Sequence, residues 1–519
     1  MAGGLRYWQL PRRIGGLFSG PSRPLQGPIE ARATATTTTT TTSTSRRLRE
    51  EEELRPIFFT SDDDNHDDNY DDNHDEEAHK ARLRAAPPSR RRLPRRARRC
   101  LCRCVFRCAM LLIIIFALAL TGYCFYKWNA EKARRVPWTP DPETRLFSKR
   151  PLAPPPQRLN ITNYALPLRT RGRSIVDANG HRFKLASVNW YGASDELFVV
   201  GGLNVQHRDT IADTIKRLGF NSVRLPYADE LVTLNPRVED RLLTENPDLV
   251  GMRALDVFHA VTRSLTDAGI AVIINNHITS ATWCCGADPC DAGWANDHLG
   301  PICRVRQTEE DWIRNWETIM RPHVDNPLVI GADLRNEVRG LWGTMPWSKW
   351  AAAAERCGNR LLRMNRDWLI VVEGTESAND VSGARERPVR LDVDNRLVYS
   401  AHVYSWSGWG SMAGRFSGRS YASFVRTMRW NWGYLIEGDV APVWVGELGA
   451  SHSPTVGGHN YWANLFRYLK AVDADFGYWA LNPRKPRRNA SESYALVKDD
   501  YVTPVLDYRM KDMMELMTQ

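Results

Sequence analysis

The sequence lacks the patterns that mark several common protein classes. No glycine-rich phosphate loop follows an early apolar segment, as an open, doubly wound sheet would require. Residues 1–99 have no sustained apolar period, so we expect a disordered, low-complexity tail there. Within this tail, the stretch 62–74 is rich in Asp, Asn and His but lacks the central glycine and terminal glutamate of a calcium loop. A solvated tail is therefore favoured over a calcium site.

The cysteines lack the spacing of a zinc knuckle. Half of the ten cysteines lie well downstream: Cys284, Cys285, Cys290, Cys303 and Cys357. The adjacent pair has no two-residue gap between ligands, which disfavours a zinc site but leaves it as an alternative. In an oxidising compartment these five form at most two bridges and leave one thiol, with a connectivity that the sequence does not determine. The other set lies in or beside an apolar run and includes three candidate palmitoylation sites, Cys100, Cys102 and Cys104.

The formal net charge of +10 does not indicate a nucleic-acid-binding protein once its position is considered. Much of this charge lies in residues 46–49 and 90–107, next to an apolar run, and no nucleic-acid recognition fold accompanies it. A basic segment beside a membrane span interacts with anionic lipid headgroups. We therefore expect a lipid bilayer as the partner of this segment, and no nucleic acid.

Residues 108–126, CAMLLIIIFALALTGYCFY, form an uncharged apolar run long enough for a transmembrane helix. The run begins too far from Met1 for an ordinary signal peptide, and no globular pattern surrounds it as it would surround a buried core helix. Arginines are denser before the run than basic residues are after it, so the positive-inside rule predicts a single-pass type II protein. Its N-terminus would be cytosolic and its large domain extracellular or lumenal. The sequons at Asn160 and Asn489 fit this topology but are weak signals alone.

The remainder of the chain is predicted to be a proline-rich, extended linker over residues 127–165 and one large domain over residues 166–519. In the domain, short β-rich segments alternate with amphipathic helical stretches, a pattern typical of a closed (β/α)8 TIM barrel of the α/β class. The predicted strands are 184–189, 221–225, 271–276, 328–334, 368–372, 397–402, 442–446 and 476–480. The clearest helical stretches are 209–218, 254–268, 309–321, 347–362 and 461–472.

Polar and aromatic residues follow or end most of these strands, where the loops of a barrel form its active-site face. Each of them alone is equally well explained by capping or packing. Together they predict a ring of functional groups around one mouth, made of Asn189, Trp190, Arg224, Asn276, His277, Asn336, Glu337, His402, Tyr404, Glu447 and Trp479.

Two members of this ring, Glu337 and Glu447, are carboxylates from well-separated strands. Glycoside hydrolysis needs such a pair, because one carboxyl protonates the leaving oxygen and the other attacks the anomeric carbon. We expect Asn336 to hold the 2-hydroxyl of the sugar, and Arg224 and Tyr404 to donate to Glu447 and stabilise its charge. Two aspartates near strand ends do not close an apolar strand directly and are ranked as surface or substrate contacts: Asp195 and Asp229.

At these residues the sequence resembles glycoside hydrolase family 5, the cellulase-like family of retaining β-glycosidases, over residues 169–482. The resemblance rests on motifs in the order of the family: ASVNWYG, LGFNSVRLP, INNHITSATW, DLRNEVRG, VYSAHVY, VWVGELGA and YWALN. In the family the glutamate after asparagine is the acid/base, which corresponds to Glu337, and the glutamate of strand seven is the nucleophile, which corresponds to Glu447. The same matching gives supporting roles to Arg224, His277, Asn336, His402 and Tyr404, and a sugar-stacking role to Trp479.

The sequence departs from the family pattern in two places. Val338 follows the proposed acid/base where the family often has proline, a change that preserves the backbone course. The loop after the third strand, residues 283–303, is long and cysteine-rich, and its Trp-Cys-Cys start is similar to that of the plant and microbial cellulase-like branch. Its effect on the sugar subsites does not follow from the sequence.

The resemblance implies hydrolysis of a β-linked glucan or related polysaccharide with retained configuration, without a metal or an organic cofactor. An endo-β-1,4-glucanase is the predicted enzyme, and retention predicts a separation of about 5 to 5.5 Å between the two carboxyl groups. A β-mannan, an exo-β-glucan or a glycosphingolipid remains an alternative substrate, since specificity depends on loops. Transglycosylation and a non-catalytic carbohydrate-binding protein on the same barrel are further alternatives, although loss of a glutamate would have favoured the latter and both glutamates are present. The oligomeric state is not indicated.

Overall fold

The computed structural model describes residues 95–286, 288–340, 345–408, 411, 413–485 and 490–519, with side chains from residue 103 onward. Residues 1–94, which hold most of the predicted tail, lie outside the described residues, as does the sequon asparagine Asn489. For two of the candidate palmitoylation sites, Cys100 and Cys102, only the backbone is described.

The described chain begins with a long helix, α1 (Arg95–Arg134), which contains the predicted apolar run 108–126 and extends beyond it at both ends. Within the described ranges this is the one helix long and apolar enough to cross a membrane, and none of its apolar window is buried. Its large apolar side chains, from Val105 to Trp128, are exposed. The alternative of a buried core helix therefore does not apply.

Residues 127–165 are not an extended linker throughout, in contrast to the prediction from their proline content. Lys127 to Arg134 continue α1, and a short helix, α2 (Pro142–Phe147), is capped by Asp141 and contacts the C-terminal helix of the chain. Buried Leu159 and Ile161 then join the domain core. The segment therefore packs against the domain through α2, Leu159 and Ile161.

Eight parallel strands form the closed barrel that the alternating pattern predicts. The chain enters it after a small antiparallel hairpin, β1 (Arg169–Arg171) and β2 (Ser174–Val176). The barrel strands are β3 (Ala186–Asn189), β4 (Ser222–Ala228), β5 (Ala271–Ile278), β6 (Val329–Asp333), β7 (Leu369–Glu373), β8 (Leu397–Val403), β9 (Val443–Leu448) and β10 (Asp475–Tyr478). The last strand pairs with the first barrel strand and closes the ring.

Helices surround the barrel, and the longer ones each bury an apolar face against it. They are α3 (Arg208–Arg217), α4 (Asp229–Leu234), α5 (Ala254–Asp267), α6 (Glu309–Met320), α7 (Trp347–Met364), α8 (Thr375–Ala378), α9 (Tyr421–Met428), α10 (Tyr434–Glu437), α11 (Val456–Val472) and α12 (Tyr508–Thr518). Their starts follow from local chemistry: at α6, for example, Thr308 and Asp311 form a reciprocal capping box. The C-terminal end of the barrel is left open for the loops.

The opposite end of the barrel is closed by apolar residues. Ile161, Leu168 and Ile175, from the hairpin and the segment before it, pack against the starts of β5 to β9 through residues such as Ile273 and Trp444. Since one end is filled in this way, a ligand can reach the barrel interior only from the carboxyl ends of the strands.

Candidate active site

A cavity of about 410 Å³ lies at the carboxyl ends of the barrel strands. It brings together residues from the ends of β5 and β9 and from the loops after β3, β5, β6, β8 and β10. Of the eight predicted site residues, six line the cavity directly. Arg224 and His402 are fully buried beneath it. The lining residues include Tyr191, Asp195, His277, Trp283, Asn336, Glu337, Tyr404, Trp406, Glu447, Trp479, Glu492 and Tyr494.

Arg224, on β4, is the centre of the hydrogen-bond network under the cavity. Its guanidinium donates to the carboxylates of Asp333 at 2.7 Å, Glu373 at 2.9 Å and Glu447 at 2.5 Å. It also donates to the amide oxygens of two asparagines, Asn189 at 2.9 Å and Asn336 at 2.8 Å. A planar guanidinium with five donors is suited to fixing several acceptors at once. Arg224 therefore aligns five acceptors that lie on four strands or in the loop after one of them.

Glu447 is held by two donors of different kinds. Nη1 of Arg224 reaches Oε1, and the hydroxyl of Tyr404 donates to Oε2 at 2.8 Å. The carboxylate is almost fully buried at the end of β9. In the ladder between β8 and β9 a register shift places His402 opposite Glu447, which brings the imidazole Nδ1 to 3.8 Å from Oε2. The backbone thus presents Glu447 in one orientation.

Glu337 lies in the loop after β6 and has an unusual backbone conformation, with φ at +48°. Such left-handed values are strained for a non-glycine residue and concentrate at functional sites. Its backbone N–H donates to Oε2 of Glu373 at 2.7 Å, and its Oε1 lies 3.1 Å from Nδ1 of His402. Burial raises the pKa of Glu337 to about 7, against the opposing charges of Arg339 and Arg224. At neutral pH much of this carboxyl is therefore protonated.

The two candidate carboxylates are close to each other. A carboxylate oxygen of Glu337, a ring nitrogen of His402 and a carboxylate oxygen of Glu447 all lie within 4.8 Å of one another. An inverting glycosidase leaves about 6.5 to 9.5 Å between its carboxyl groups for a water molecule, whereas a retaining one needs about 5 to 5.5 Å. The observed spacing fits the shorter distance.

Glu373 was not identified from the sequence, although it is central to the network. It ends β7, is fully buried, and contacts Arg224, the Glu337 backbone and, at 3.5 Å, Nε2 of His402. Burial, followed by the charge of Asp333, raises the pKa of Glu373 well above its ordinary value. Burial also lowers the pKa of His402 to about 4, so its imidazole is neutral at pH 7. The signal was present in the sequence, since Glu373 directly follows the predicted fifth strand.

Aromatic side chains form the walls of the cavity. Trp479 lies parallel to Tyr191, with 4.9 Å between ring centroids, and parallel to His277 at 5.4 Å. Burial lowers the pKa of His277 well below its ordinary value, so this ring is neutral too. Trp406, which sequence reasoning missed, stacks on Tyr404 at 4.4 Å and remains 49% exposed. Its exposed face is available to a flat ligand such as a sugar ring.

The cysteine-rich loop after β5 borders the same cavity. The sulfur atoms of Cys284 and Cys285 are joined to each other and line the cavity, and Cys290 is joined to Cys303. Cys357 is a buried free thiol on α7. The side-chain amide of Asn336 donates to both Cys284 and Cys285, at 3.3 and 3.2 Å. The loop therefore helps to fix the asparagine that precedes Glu337.

Among the residues that the structure describes, two clusters bring three possible metal-ligand atoms within 4.8 Å of one another. One is the Glu337, His402 and Glu447 group, and the other consists of His277 with Cys284 and Cys285. The carboxylates of the first group already accept hydrogen bonds from Arg224 and Tyr404. The paired sulfurs of the second are not thiolates, and thiolates are the form that binds zinc. The donors of the first group therefore fit acid and nucleophile roles better than metal ligation.

The two aspartates ranked behind the glutamates have different positions. Asp195 lines the cavity, where burial raises its pKa to about 8. Asp229 is fully buried and bonded to Arg335, Gln307 and Asn315. The expectation of a surface or substrate contact is therefore wrong for Asp229. This residue begins α4, and its side chain points into a buried network with Arg335.

Comparisons with known proteins agree on one family. The profile of the cellulase family, glycosyl hydrolase family 5, matches residues 176–485. An endoglucanase from Paenibacillus polymyxa is 32% identical over 351 residues, covering 64% of this chain and 83% of the relative. The major extracellular endoglucanase of Xanthomonas campestris pv. campestris is 25% identical, covering 64% of this chain and 67% of the relative. A solved endocellulase from the archaeon Pyrococcus horikoshii, 24% identical, shares the fold with a TM-score of 0.57 and covers 68% of this chain and 99% of its own.

Proposed function

The chain belongs to the cellulase family, glycosyl hydrolase family 5, and we propose that it cleaves a β-linked glucan by double displacement, with Glu447 as nucleophile and Glu337 as acid/base. As a member of this family it is a glycoside hydrolase. In the first step the Glu447 carboxylate bonds to the anomeric carbon while the Glu337 carboxyl protonates the leaving oxygen. In the second, Glu337 takes a proton from water, and that water releases the sugar from Glu447 with its configuration retained.

The observation that carries this proposal is the spacing of two glutamates in unlike surroundings. One carboxylate oxygen of Glu337 lies within 4.8 Å of one of Glu447, a spacing that fits a retaining pair better than an inverting pair. Burial raises the pKa of Glu337 to about 7, which suits a proton donor at neutral pH. Glu447 instead accepts hydrogen bonds from a guanidinium and a phenol, which suits a carboxylate held in position to attack.

The neighbouring residues receive supporting roles in this proposal. Arg224 orients Glu447 and Asn336, and His402 and Tyr404 position the two glutamates from β8. Asn336 contacts the 2-hydroxyl of the sugar. His277 and Trp479, whose rings are stacked in parallel, form one wall of the sugar site.

A β-1,4-glucan cleaved within the chain is the proposed substrate. Relatives named endoglucanases and a structural neighbour described as an endocellulase support this assignment. The open cavity with Trp406 and Trp479 on its walls also fits a chain of flat sugar rings. No organic cofactor and no metal take part in the proposed steps.

We also propose that α1 anchors the enzyme in a membrane as a single-pass type II protein. The support is its exposed apolar surface and the arginine-rich segment before it. The catalytic domain would then lie outside the cytosol, in the compartment where the Cys290–Cys303 bridge forms readily.

The experiment that tests the activity measures reducing ends released by the full-length protein in detergent. The substrates are a soluble β-1,4-glucan, a β-1,3-glucan, a β-mannan and glucosylceramide. We expect release from the β-1,4-glucan, and a loss of at least about 100-fold in Glu337→Gln, since acid catalysis contributes factors of this order. Glu386→Gln is the matched control, because Glu386 is exposed and lies outside the cavity.

The role of each glutamate is tested with Glu447→Ala. Its turnover should be abolished, and added azide should restore part of it by occupying the space of the carboxylate and attacking the anomeric carbon. A folded variant that azide does not rescue would contradict the assignment of Glu447. If the wild-type protein released no reducing ends from any of the four substrates, a carbohydrate-binding function on the same barrel would be favoured. Oligosaccharide products longer than the substrate would favour transglycosylation.

A further inference from the structure

The membrane-proximal end of α1 is joined rigidly to the barrel. Directly after Arg134 the chain forms a bridge between Pro137 and Thr455. The N–H of Trp138 donates to Pro454 O at 2.9 Å, and the N–H of Val456 donates to Val136 O at 2.8 Å. There is no free spacer between the helix and this contact.

Side chains reinforce the junction. Trp138 stacks on His459 of α11, with 3.9 Å between ring centroids. Nη2 of Arg134 donates to Gly418 O at 3.4 Å. Lys511 of α12 lies 3.4 Å from Glu143 of α2. The attachment therefore involves several parts of the domain and is not a single hinge.

The contacted loops follow two barrel strands whose carboxyl ends contribute residues to the catalytic mouth. Residues 449–455 connect β9, which carries Glu447, to α11, and residues 404–420 connect β8 to α9 and carry Tyr404 and Trp406. We call these two loops the anchor-side rim. Because both follow the carboxyl ends of barrel strands, α1 is attached at the open end of the barrel and not at its closed end.

The distance from the bilayer to this rim is short. Tyr123, Tyr126 and Trp128 are exposed on α1, and aromatic residues of this kind mark the membrane–water interface. Helix α1 continues without a break to Arg134. Six residues of helix after Trp128 rise about 9 Å. The anchor-side rim therefore begins about 9 Å beyond the membrane–water interface.

We propose that this junction holds the catalytic mouth facing the surface of the enzyme's own membrane, so that it acts on glycan chains at that surface in preference to chains in bulk solution. The inference rests on the proposed function, since it requires α1 to span the bilayer and Glu337 and Glu447 to be catalytic. A second feature of the mouth fits a membrane-facing position. Ile302, in the loop after β5, is 76% exposed at the same end of the barrel. An apolar side chain so exposed is suited to insertion at the boundary between lipid headgroups and acyl chains.

The orientation is tested without reference to catalysis. A donor dye is introduced through an encoded amino acid at His298, in the mouth loop after β5, or at Asp394, which precedes β8 at the closed end. Both positions are exposed. The full-length protein is placed in phosphatidylcholine vesicles that contain an acceptor lipid. We expect stronger energy transfer from position 298. Equal transfer, or stronger transfer from position 394, overturns the proposal.

The consequence for activity is tested with an insertion that raises the mouth and keeps the junction. Twenty Gly/Ser residues placed after Ala133 add a flexible segment with an end-to-end distance of about 25 Å. The probe is a cello-oligosaccharide coupled to a phospholipid in the same vesicles, compared with the free oligosaccharide. We expect the preference for the lipid-coupled form to fall about fivefold or more, since effective concentration decreases steeply with tether length.

The same insertion after Pro94, on the other side of the span, is the matched control and should leave the preference unchanged. Hydrolysis of the free oligosaccharide should be equal in all three proteins. If the insertion after Ala133 leaves the preference unchanged, the inference is wrong. If none of the proteins cleaves the free oligosaccharide, the proposed function fails instead, and the energy-transfer measurement still decides the orientation.

Discussion

Glu337 and Glu447 carry the same side chain in different surroundings. Both carboxylate oxygens of Glu447 accept hydrogen bonds, one from Arg224 and one from Tyr404. Glu337 is largely enclosed, and neutral His402 is its nearest partner. Desolvation disfavours the charged form of a carboxyl group, whereas charged or hydroxyl donors favour it. The first environment suits Glu337 as the acid, and the second suits Glu447 as the carboxylate.

The raised pKa of Glu337 predicts the alkaline limb of the pH profile. The acid is competent only when protonated, so kcat/KM should be high below the pKa of about 7 and fall as pH rises through it. The positive charge of Arg339 opposes this increase in pKa. In Arg339→Gln the limb should therefore move to higher pH, by about 0.5 to 1 unit. The measurement is the pH dependence of kcat/KM on a soluble β-1,4-glucan.

A matched control for this prediction is Arg363→Gln, which removes an exposed arginine near the end of α7. Its profile should coincide with that of the wild-type protein. A limb that moves to lower pH in Arg339→Gln, or an unchanged one, would show that Glu337 is not the group that titrates.

At the scale of single elements, the loop after β5 links the fold to the site. One end of the loop contributes the Cys284–Cys285 pair beneath Asn336, and the other is closed by the Cys290–Cys303 bridge. The carboxylate of Asp291, directly after Cys290, accepts hydrogen bonds from Arg335 at 2.8 Å and from Arg339 at 3.1 Å. A loop with so many internal and external contacts acts as a fixed wall of the cavity.

Helix α5 and the turn after α6 share a buried histidine pair that has no part in the proposed reaction. Nδ1 of His259 lies 2.9 Å from Nε2 of His323. Burial lowers the pKa of His259 to about 4 and that of His323 to about 3. The charged groups nearby are Arg263, which lowers the pKa of both histidines, and Asp256, which raises that of His259.

This pair predicts a loss of stability in mild acid. An unfolded histidine takes up its proton near pH 6.5, but the folded pair resists protonation until about pH 4, so folding becomes less favourable as pH falls between these values. The slope is at most about 1.4 kcal/mol per pH unit for each histidine. We expect the decrease in Tm between pH 7 and pH 5 to be smaller in the double variant His259→Gln, His323→Gln. Equal decreases in both proteins would assign the acid sensitivity to other groups.

At the scale of the whole molecule, α1 and the barrel are connected at the catalytic mouth. The contact between residues 136–138 and 454–456 leaves little freedom between them. A family 5 barrel joined to α1 in this way has a defined orientation relative to the helix, which a flexible linker would not provide.

The proposed topology predicts a specific pattern of protease protection. Trypsin added to sealed microsomes should remove the arginine-rich segment up to residue 107 and leave the catalytic domain intact until detergent is added. A glycan that is lost in Asn160→Gln would be an independent sign of a lumenal domain. Digestion of the domain in sealed microsomes, with the N-terminal segment protected, would reverse the proposed orientation.

The sequence by itself determined the barrel and most of the ring of polar residues. Eight apolar segments that alternate with helices specify a closed parallel barrel. A residue at the carboxyl end of any of these strands then lies at the active-site face of the barrel. Glu337, Glu447 and Arg224 were therefore predicted together. Glu373 satisfied the same rule at the end of the fifth segment but belongs to no recognised motif, and so it was missed.

Only the tertiary structure decided which of these groups touch. That Arg224 reaches five acceptors, or that Asn336 donates to the sulfurs of Cys284 and Cys285, depends on loop paths that sequence periodicity does not encode. The same holds for the segment after α1, where proline content predicted an extended linker. Its docking on residues 454–456 arises from backbone pairing between parts of the chain more than 300 residues apart, and such long-range contacts leave no local pattern in the sequence.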